Sequence, residues 1–530
     1  MSKTQLIFRP DSEKHGEVWV WLCGLAVTAC VFMLSGLLGL ILYYGGSAFW
    51  PRAIFKATLA DHSEVWGHVL SKRVVKTTKV DQPQEEWFWF VGNNVFASGR
   101  YRFINKEQFS EVVLAKDVWV LEPIQGGRIF AVLESFEMEE STIPVMITEK
   151  SFEKFLSVWR RVRKCYQQAE RLENVDLRGL VYNLERKKRQ GNKERIAALE
   201  QQIQCLLTQI QELHSQARTA KLNLRLANSQ RMQIPLCDVV EMVNPEKLSA
   251  LGKFILYLQR WWRFLSTWPR VANTEGGIFP AIFGTFVMTV LMSGAVVPLG
   301  VLVAIYLREY ARSGPVLSVV RICVNNLAGV PSIVYGVFGL GFFVYIVGGT
   351  IDDLFYQSRK PVPVLGTGGI LWASLTLALL TLPVMIVATE EALGAVSRSV
   401  REAALACGST KWQMVWYVLL PAALPGILTG MILAIARGAG EVAPLMITGV
   451  VKLAPALPID SVFPYLHLDR KFMHLGFHIY DLGFQSPDSD AARPLAFAST
   501  LVLIMVVGLM NLGAVLLREK IRHKLHTSGL

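Results

Sequence analysis

Six long apolar runs constrain this chain more than any other feature of its sequence. No Asp, Glu, Lys or Arg occurs from Val18 to Trp50, and five more apolar runs follow between residues 278 and 517. A helix needs about 20 mainly apolar residues to cross a bilayer. The chain is 18% charged, against about 25% in soluble domains. We therefore predict an all-α polytopic membrane protein whose transmembrane helices lie at residues 18–50, 278–307, 322–349, 364–389, from the prolines at 421 and 425 to 448, and 494–517.

A hydrophilic insertion separates the first run from the second. Residues 45–275 contain no spanning run, so we expect an inserted soluble domain there. Its first part, residues 53–150, is rich in Val, Ile, Phe and Trp and predicts a small antiparallel sheet or barrel. The predicted strands, separated by glycine-containing turns, are residues 64–75, 87–91, 101–104, 111–121 and 128–136.

The next part of the insertion, residues 151–232, has a helical pattern. Apolar side chains recur every three or four residues, with a slip near residues 174–179 that resembles a stutter. A Gly-Asn pair at 191–192 divides the pattern, which predicts an antiparallel coiled-coil hairpin; one long helix pairing with another chain is the alternative. Residues 233–275 would return the chain to the membrane. The heptad seam of the second half is Ile196, Leu199, Ile203, Leu206, Ile210, Leu213, Ala217, Ala220, Leu224 and Ala227.

Basic residues predict the orientation of the chain, because cytoplasmic loops of membrane proteins are enriched in Lys and Arg. If the N-terminus is cytoplasmic, residues 1–44 hold the N-terminal segment and the first helix, and residues 45–275 are periplasmic. The C-terminal tail, residues 518–530, is then cytoplasmic. The basic residues on the inner side are Lys3, Arg9, Lys14, Arg308, Arg312, Arg321, Arg398, Arg401, Lys411, Arg518, Lys520, Arg522 and Lys524.

A polar segment at residues 390–421, between the fourth and fifth runs, carries a spaced motif. Its small residues predict a short surface helix that a partner's backbone can approach closely. An amphipathic connector without a partner is the alternative. The motif consists of Glu402, Ala403, Ala404, Gly408, Leu420 and Pro421. It closely resembles the EAA loop of ABC importer permeases, and that resemblance implies docking of these residues in a groove of an ATP-hydrolysing subunit.

The sequence contains no pattern for binding ATP itself. No G-x-x-x-x-G-K-[ST] segment occurs, so ATP and Mg are expected in a partner subunit rather than in this chain. No Ser/His/Asp or paired-carboxylate constellation suggests an enzyme. His467, His474 and His478 lack acidic or cysteine partners at useful spacing, so we predict no metal site. The net charge of +12 forms no basic stripe typical of nucleic-acid binding.

Further segments of residues 276–517 carry a more specific resemblance. They are Gly276-Gly277-Ile278, Gly284-Thr285-Phe286, Pro298-Leu299-Gly300-Val301, Ala304 to Tyr310, Asn325 to Gly336, and Ala436 to Leu445. In order and spacing they resemble the permease A subunits of phosphate-specific ABC importers. Residues 45–275 lie outside this resemblance.

The resemblance implies a type I ABC importer permease fold and translocation of phosphate across the inner membrane. The implied partners are a homologous second permease, an ATPase subunit dimer and a periplasmic phosphate-binding protein. The companion permease subunit and a permease for another oxyanion are the nearest alternatives. A membrane-tethered periplasmic scaffold or sensor is an alternative of another class, although a scaffold would have no use for the EAA pattern.

Two ionisable residues in the fifth run are candidates for the translocation path. The sequence places Arg437 deep in the span and Glu441 one turn further on the same face. Charged groups at such depth usually face a partner or a water-filled path, and the guanidinium fork matches phosphate oxygens. Mutual neutralisation of Arg437 and Glu441 as a structural pair is the alternative. Neutral donors that could join the path are Asn325, Asn326, Ser332 and Tyr335.

Overall fold

Six helices of the computed structural model are long and apolar enough to cross a membrane. They are Val18–Ser47, Phe279–Tyr310, Ser332–Phe355, Ile370–Ala395, Lys411–Gly440 and Ala492–Lys524. The structure describes residues 11–75, 84–92, 100–138, 141–177, 179–181, 184, 193–270, 273, 275–357, 363–460, 465–486 and 489–527.

The secondary structure divides the chain into a mixed insertion and a helical membrane part. The strands are β1 (Phe55–Leu59), β2 (Glu64–Val75), β3 (Gln84–Phe90), β4 (Tyr101–Asn105), β5 (Phe109–Leu114), β6 (Trp119–Pro123), β7 (Ile129–Met138), β8 (Ser141–Met146), β9 (Ala220–Arg225), β10 (Arg231–Pro235), β11 (Val239–Val243), β12 (Pro269–Arg270) and β13 (Glu275–Gly276). The helices are α1 (Asp11–Ser47), α2 (Glu149–Arg171), α3 (Lys193–Arg218), α4 (Ala250–Ser266), α5 (Phe279–Ile305), α6 (Pro315–Leu327), α7 (Ser332–Phe338), α8 (Gly349–Phe355), α9 (Ile370–Ala395), α10 (Arg398–Ala406), α11 (Lys411–Met414), α12 (Leu420–Gly440), α13 (Ala443–Thr448), α14 (Leu475–Tyr480) and α15 (Ser489–Thr527). Several helices continue as π-helical turns, at Leu172–Leu177, Tyr306–Tyr310, Gly339–Gly348, Val415–Leu419 and Asp481–Gln485.

Two antiparallel sheets form the β part of the insertion. One has the strand order β4-β3-β2-β1-β5, and the other has the order β10-β9-β7-β6-β11 with β8 paired to β7. Helices α2 and α3 leave and rejoin the second sheet, since α2 follows β8 and α3 precedes β9. Their core includes Phe136 and Phe155, whose ring centroids lie 5.4 Å apart. The helical pair therefore projects from this sheet.

Two predicted elements of the insertion differ in the structure, and strands β1, β8, β10 and β11 were not predicted. The predicted strand at 111–121 is two strands, β5 and β6, separated by residues 115–118. The heptad seam was predicted to reach Ala227, but α3 ends at Arg218 and Ala220–Arg225 is a strand. Ala220, Leu222 and Leu224 alternate with more exposed residues there and are buried in the sheet core, so a two-residue period prevails over the heptad. The predicted turn at Gly191-Asn192 lies outside the described residues.

The membrane part is organised around α9. This helix packs between α5 and α12, and small residues allow the close approach: a Cβ on Gly300 would lie 2.5 Å from Met385, and one on Gly430 would lie 2.7 Å from Ala388. Met288, Met292 and Leu377 are fully buried in the same cluster. The outer face of α1 and much of α15 are exposed instead, as expected of surfaces that meet lipid or other subunits.

The third and fifth spans begin at different residues from those predicted. The third begins at Ser332 rather than at 322, because Pro331 disfavours helical backbone at the residue before it and separates α6 from α7. The fifth begins at Lys411 and passes through Pro421 and Pro425 without a break. The π-helical turn Val415–Leu419 immediately precedes Pro421; such turns absorb missing or displaced backbone hydrogen bonds.

Helix α4 joins the insertion to one end of each of two spans. Tyr257 Oη donates to the carbonyl oxygen of Gly46 at 2.8 Å, at the end of α1. Phe264 of α4 and Ala498 of α15 are buried in one hydrophobic cluster. The insertion therefore contacts both α1 and α15.

Candidate coupling and translocation sites

The candidate coupling segment is the short helix α10 and the turn after it. The turn depends on Gly408, whose φ of +83° lies in the left-handed region that glycine adopts without strain. Ser409 Oγ donates to the carbonyl oxygen of Ala404 at 2.7 Å, and Thr410 Oγ1 accepts from the backbone N–H of Gln413 to cap α11. Gly408 and these bonds define the turn that separates α10 from the fifth span.

One face of α10 is open to a partner. Glu402, Ala403 and Gly408 are exposed, while Ala404 is half-buried against the membrane core. Val400 and Leu405 add exposed apolar area to the same short helix. Exposed apolar side chains on such a segment are typical of a protein-docking surface.

The predicted motif residues do not all lie on that surface. Leu420 and Pro421 are half-buried in the first turn of α12, within the fifth span, and Leu420 packs against the membrane core. Pro421 was predicted to stop the surface helix, but the helix that contains it runs from Lys411 to Gly440. The structure thus brings together Glu402, Ala403, Ala404 and Gly408 only.

An ion pair that the sequence analysis did not assign connects α10 to the second span. Arg401 Nη1 donates to Glu309 Oε1 at 2.6 Å, and Arg401 Nη2 donates to the carbonyl oxygen of Leu393 at 2.5 Å. The side chains of Arg401 and Glu309 are 20% and 10% exposed, so the pair is shielded from water. Nearby, Arg321 Nη2 lies 3.3 Å from Glu390 Oε1 and links α6 to α9. Helix α10 is therefore joined by side-chain hydrogen bonds to the second span and to the end of α9.

Arg401→Gln is expected to lower the unfolding temperature of the detergent-purified chain. The substitution leaves the largely buried Glu309 without its cation, and breaking a buried pair in this way costs about 3–5 kcal/mol. Adding Glu309→Gln removes the stranded charge and should restore most of the loss. Arg398→Gln, at an exposed position of the same helix, is the matched control. Equal unfolding temperatures for Arg401→Gln and Arg398→Gln would contradict a stabilising role.

The candidate translocation residues lie near a second discontinuity, between α12 and α13. Arg437 occupies the last turn of α12 and is close enough to Tyr335 for electrostatic interaction. Its Nε is buried without a hydrogen-bond partner. Among the described residues Arg437 forms no ion pair, so its charge is available to a ligand.

Glu441 is the residue at which α12 ends. The helix runs to Gly440, and the extended ψ of 137° at Glu441 turns the following chain away from the helix axis. No ion pair joins Arg437 and Glu441 among the residues that the structure describes. Arg437 is 26 residues beyond Lys411, the first residue of the fifth span (437 − 411), so it lies in the last turn of that span rather than deep within it.

The other predicted donors divide into two groups. Tyr335 is buried, and its hydroxyl donates to the carbonyl oxygen of Leu327 at 2.7 Å, across the break between α6 and α7. Ser332 is half-buried at the start of α7, while Asn325 and Asn326 are exposed at the end of α6. Of these four residues, Tyr335 is the one that lies within electrostatic range of Arg437.

The three histidines between the fifth and sixth spans are buried, and two of them form hydrogen bonds within the chain. His467 Nε2 lies 3.0 Å from Asp460 Oδ1, and His474 Nδ1 accepts from the backbone N–H of Gly476 at 3.1 Å. Burial lowers the pKa of His474 to about 3 and that of His478 to about 4, so both are neutral at physiological pH. No group of three or more potential ligands for a metal ion occurs in the parts of the chain that the structure describes.

Comparisons with known proteins place this geometry among transport proteins. Residues 296–523 match the family described as "Binding-protein-dependent transport system inner membrane component". The probable ABC transporter permease protein YqgI of Bacillus subtilis is 32% identical over 270 residues, covering 50% of this chain and 85% of that protein. The phosphate transport system permease protein PstA 1 of Mycobacterium tuberculosis is 33% identical over 269 residues, covering 51% of this chain and 78% of that protein. The phosphate transport system permease protein PstA of Mycobacterium leprae is 35% identical over 214 residues, covering 40% of this chain and 63% of that protein. A solved inward-facing structure of the MetNI methionine ABC transporter shares 20% identity at a TM-score of 0.34, covering 50% of this chain and 98% of that one.

Proposed function

We propose, from the premise that this chain belongs to the family of binding-protein-dependent transport system inner membrane components and is an ABC importer permease, that it carries inorganic phosphate into the cytoplasm. The observation that carries the choice of substrate is the Arg437 guanidinium, which has a buried Nε without a partner. The names of the 33–35% identical relatives, phosphate transport permeases, support the same choice.

The chemistry of Arg437 suits phosphate. Its planar fork can donate two parallel hydrogen bonds to the oxygens of one phosphate ion. Position also supports the role, because Arg437 lies beside the break between α12 and α13, where the chain leaves its helical hydrogen-bond ladder. Glu441, Ser332, Tyr335, Asn325 and Asn326 complete the path in this proposal. When phosphate binds, the Tyr335 hydroxyl would donate its hydrogen bond to the phosphate instead of to the Leu327 carbonyl oxygen.

Energy for transport is proposed to come from a partner ATPase dimer that binds ATP and Mg. The exposed face of α10, with Glu402, Ala403 and Gly408, is the proposed docking surface. The Arg401–Glu309 ion pair would carry the displacement of α10 to the second span. A homologous second permease and a periplasmic phosphate-binding protein complete the proposed assembly.

The orientation in the inner membrane is part of the proposal. Alternating basic segments support cytoplasmic N- and C-termini and a periplasmic insertion at 45–275. Reporter fusions at Gly191 and Asp488 are expected to report the periplasm, and fusions at Ser399 and the C-terminus the cytoplasm. A cytoplasmic signal at Gly191 would overturn this orientation.

The substrate is tested by uptake in a strain that lacks its own phosphate permease subunits but retains a cognate ATPase and binding protein. The chain, expressed with its companion permease, should restore uptake of ³³P-labelled phosphate, and excess sulfate should not compete. Uptake of sulfate instead, or competition by it, would favour a permease for another oxyanion. Restoration by the chain only when it replaces the companion subunit would identify it as that subunit.

A further inference from the structure

An arginine-lined cavity lies where the insertion meets the membrane part. Its volume is about 180 Å³, and its walls include Phe49 and Trp50 after α1 and Pro494 and Leu495 of α15. Three carboxylates line it, Glu122, Glu241 and Glu275, so six arginines leave a net charge of +3 (6 − 3) when all are ionised. The arginines are Arg52, Arg100, Arg128, Arg260, Arg263 and Arg270.

Some of these arginines are held by the carboxylates. Arg260 Nε donates to Glu241 Oε1 at 2.8 Å, and Arg263 Nη1 donates to the other oxygen of Glu241. Arg270 Nη2 donates to Glu122 Oε1 at 2.7 Å, but Arg270 Nη1 is buried without a hydrogen-bond partner. Two carboxylates are therefore used by three arginines, and one guanidinium group still has an unused donor.

Two further arginines, Arg52 and Arg128, form no ion pair within the described parts of the chain. Glu241 and Glu275 are within electrostatic range of Arg128 without a direct contact, and Arg52 and Arg128 lie close enough to repel each other. Partial burial first, and the charge of Arg128 second, lower the pKa of Arg52. His68, buried beside them, adds no negative charge, and burial lowers its pKa to about 4. Like charges in a shielded space raise the free energy of the folded state unless an anion neutralises them.

Helix α4, which lines this cavity, has an exposed apolar face. Its exposed apolar side chains, Leu251, Phe254, Leu258 and Trp262, recur every three or four residues along one face. Such a face lies in the membrane interface. Arg260 and Arg263 of the same helix line the cavity instead, and Arg260 Nη1 donates to the carbonyl oxygen of Phe49 at the end of α1.

We propose that this cavity binds a phosphoryl group at a site distinct from the translocation path. Guanidinium forks are the side chains best matched to phosphate oxygens, and the cavity is large enough for one phosphate group but not for a whole lipid. The source is either inorganic phosphate from the periplasm or the headgroup of an anionic phospholipid. The site does not depend on the transported substrate, since most of its residues lie in the insertion, before the family-matched residues 296–523.

The bound anion would stabilise the junction between the insertion and the membrane part. Arg52 comes from the start of the insertion, Arg128 from the segment between β6 and β7, Arg260 and Arg270 from the end of the insertion, and Pro494 from the last span. A single anion contacting several guanidinium groups therefore connects segments that are far apart in the sequence. Its loss should loosen this junction without altering either sheet.

The test uses the full-length chain in detergent, as wild type, as Arg52→Gln/Arg128→Gln and as Arg160→Gln. Arg160 is an exposed arginine of α2 and serves as the matched control. One arm measures equilibrium binding of ³³P-labelled inorganic phosphate. The other measures, by native mass spectrometry, binding of short-chain phosphatidylglycerol against diacylglycerol of equal chain length. Arg437→Gln, tested in the same way, separates binding at the translocation path from binding here.

We expect one bound phosphoryl ligand whose affinity falls about 10-fold or more in Arg52→Gln/Arg128→Gln, since the double variant loses hydrogen bonds from charged donors to the ligand. The ligand-free double variant should unfold at the same or a higher temperature than wild type, because a repulsion has been removed. If the double variant loses binding of inorganic phosphate, the free ion is the ligand. If it loses binding of phosphatidylglycerol, the lipid is the ligand. Binding in neither arm, or equal binding by wild type and double variant, overturns the proposal. A lower unfolding temperature of the ligand-free double variant with unchanged binding overturns it also, because these arginines would then only support packing.

Discussion

Arg437→Gln is expected to reduce phosphate uptake by roughly 100-fold or more while the chain remains folded and assembled. Glutamine keeps a polar side chain of similar reach but removes the positive charge and the fork. Two charge-assisted hydrogen bonds, worth about 1.5–3 kcal/mol each, are lost, and about 1.4 kcal/mol corresponds to a tenfold change in rate. Because Arg437 forms no ion pair in the part of the chain that the structure describes, no carboxylate is stranded by the change. Uptake of ³³P-labelled phosphate, with size-exclusion chromatography of the purified complex, measures both effects.

The double variant Arg437→Gln/Glu441→Gln separates a role in transport from a structural role. A pair that only neutralises itself would regain stability and uptake when both charges are removed. We expect uptake to remain lost, because Glu441 lies beyond the end of α12 and does not depend on Arg437 for its position. Arg437→Lys, which keeps the charge without the fork, is expected to retain part of the activity. Full uptake by the double variant would refute the role proposed for Arg437.

Gly408→Arg is expected to abolish uptake without reducing the amount of chain in the membrane. The φ of +83° at Gly408 disfavours any residue with a Cβ, so the arginine variant strains the turn that follows α10. A Cβ at this position meets no described atom of the chain within 4 Å, so the start of an added side chain would extend into the open space where a partner subunit is proposed to bind. Co-purification of the ATPase subunit with the permease, together with uptake, measures the effect.

Gly408→Asn distinguishes the two causes. Asparagine tolerates left-handed backbone better than other side-chain-bearing residues, so this variant tests the added side chain with little strain. If a groove of the ATPase closes around the turn, Gly408→Asn should also fail to co-purify the subunit. If backbone strain alone is responsible, Gly408→Asn should behave nearly as wild type. Normal uptake by Gly408→Arg at normal expression would remove the case for docking at this turn.

Elements determined by local sequence could be predicted, and elements determined by packing could not. The apolar runs identified six spans because length and apolarity suffice for that purpose. The start of the fifth span was wrong because Pro421 and Pro425 suggest breaks, whereas a π-helical turn before Pro421 lets the helix continue. The heptad series continued past Arg218 because Ala220 and Leu224 fit a seven-residue spacing as well as a two-residue one.

The candidate sites show the same division. The short helix with Glu402 and the turn at Gly408 could be predicted because these residues lie close together in the sequence. The Arg401–Glu309 pair joins residues 92 positions apart, and the arginine-lined cavity is formed by residues from positions 48 to 495. No periodicity or spacing connects such positions, so only the folded chain reveals them.

The insertion is attached to α1 and α15 at one junction, so a rotation about that junction moves the parts of the insertion that lie far from it. The junction lies at Gly46, Phe49 and Leu495, and the opposite end is the free end of α2 and α3. Helix α3 has 26 residues and is therefore about 39 Å long, so a tilt of about 5° at the junction displaces its far end by roughly 3 Å. Any tilt of the insertion at this junction thus produces its largest displacement at the far end of α3. A partner that contacts that end would sense the conformation of the permease without touching its membrane part.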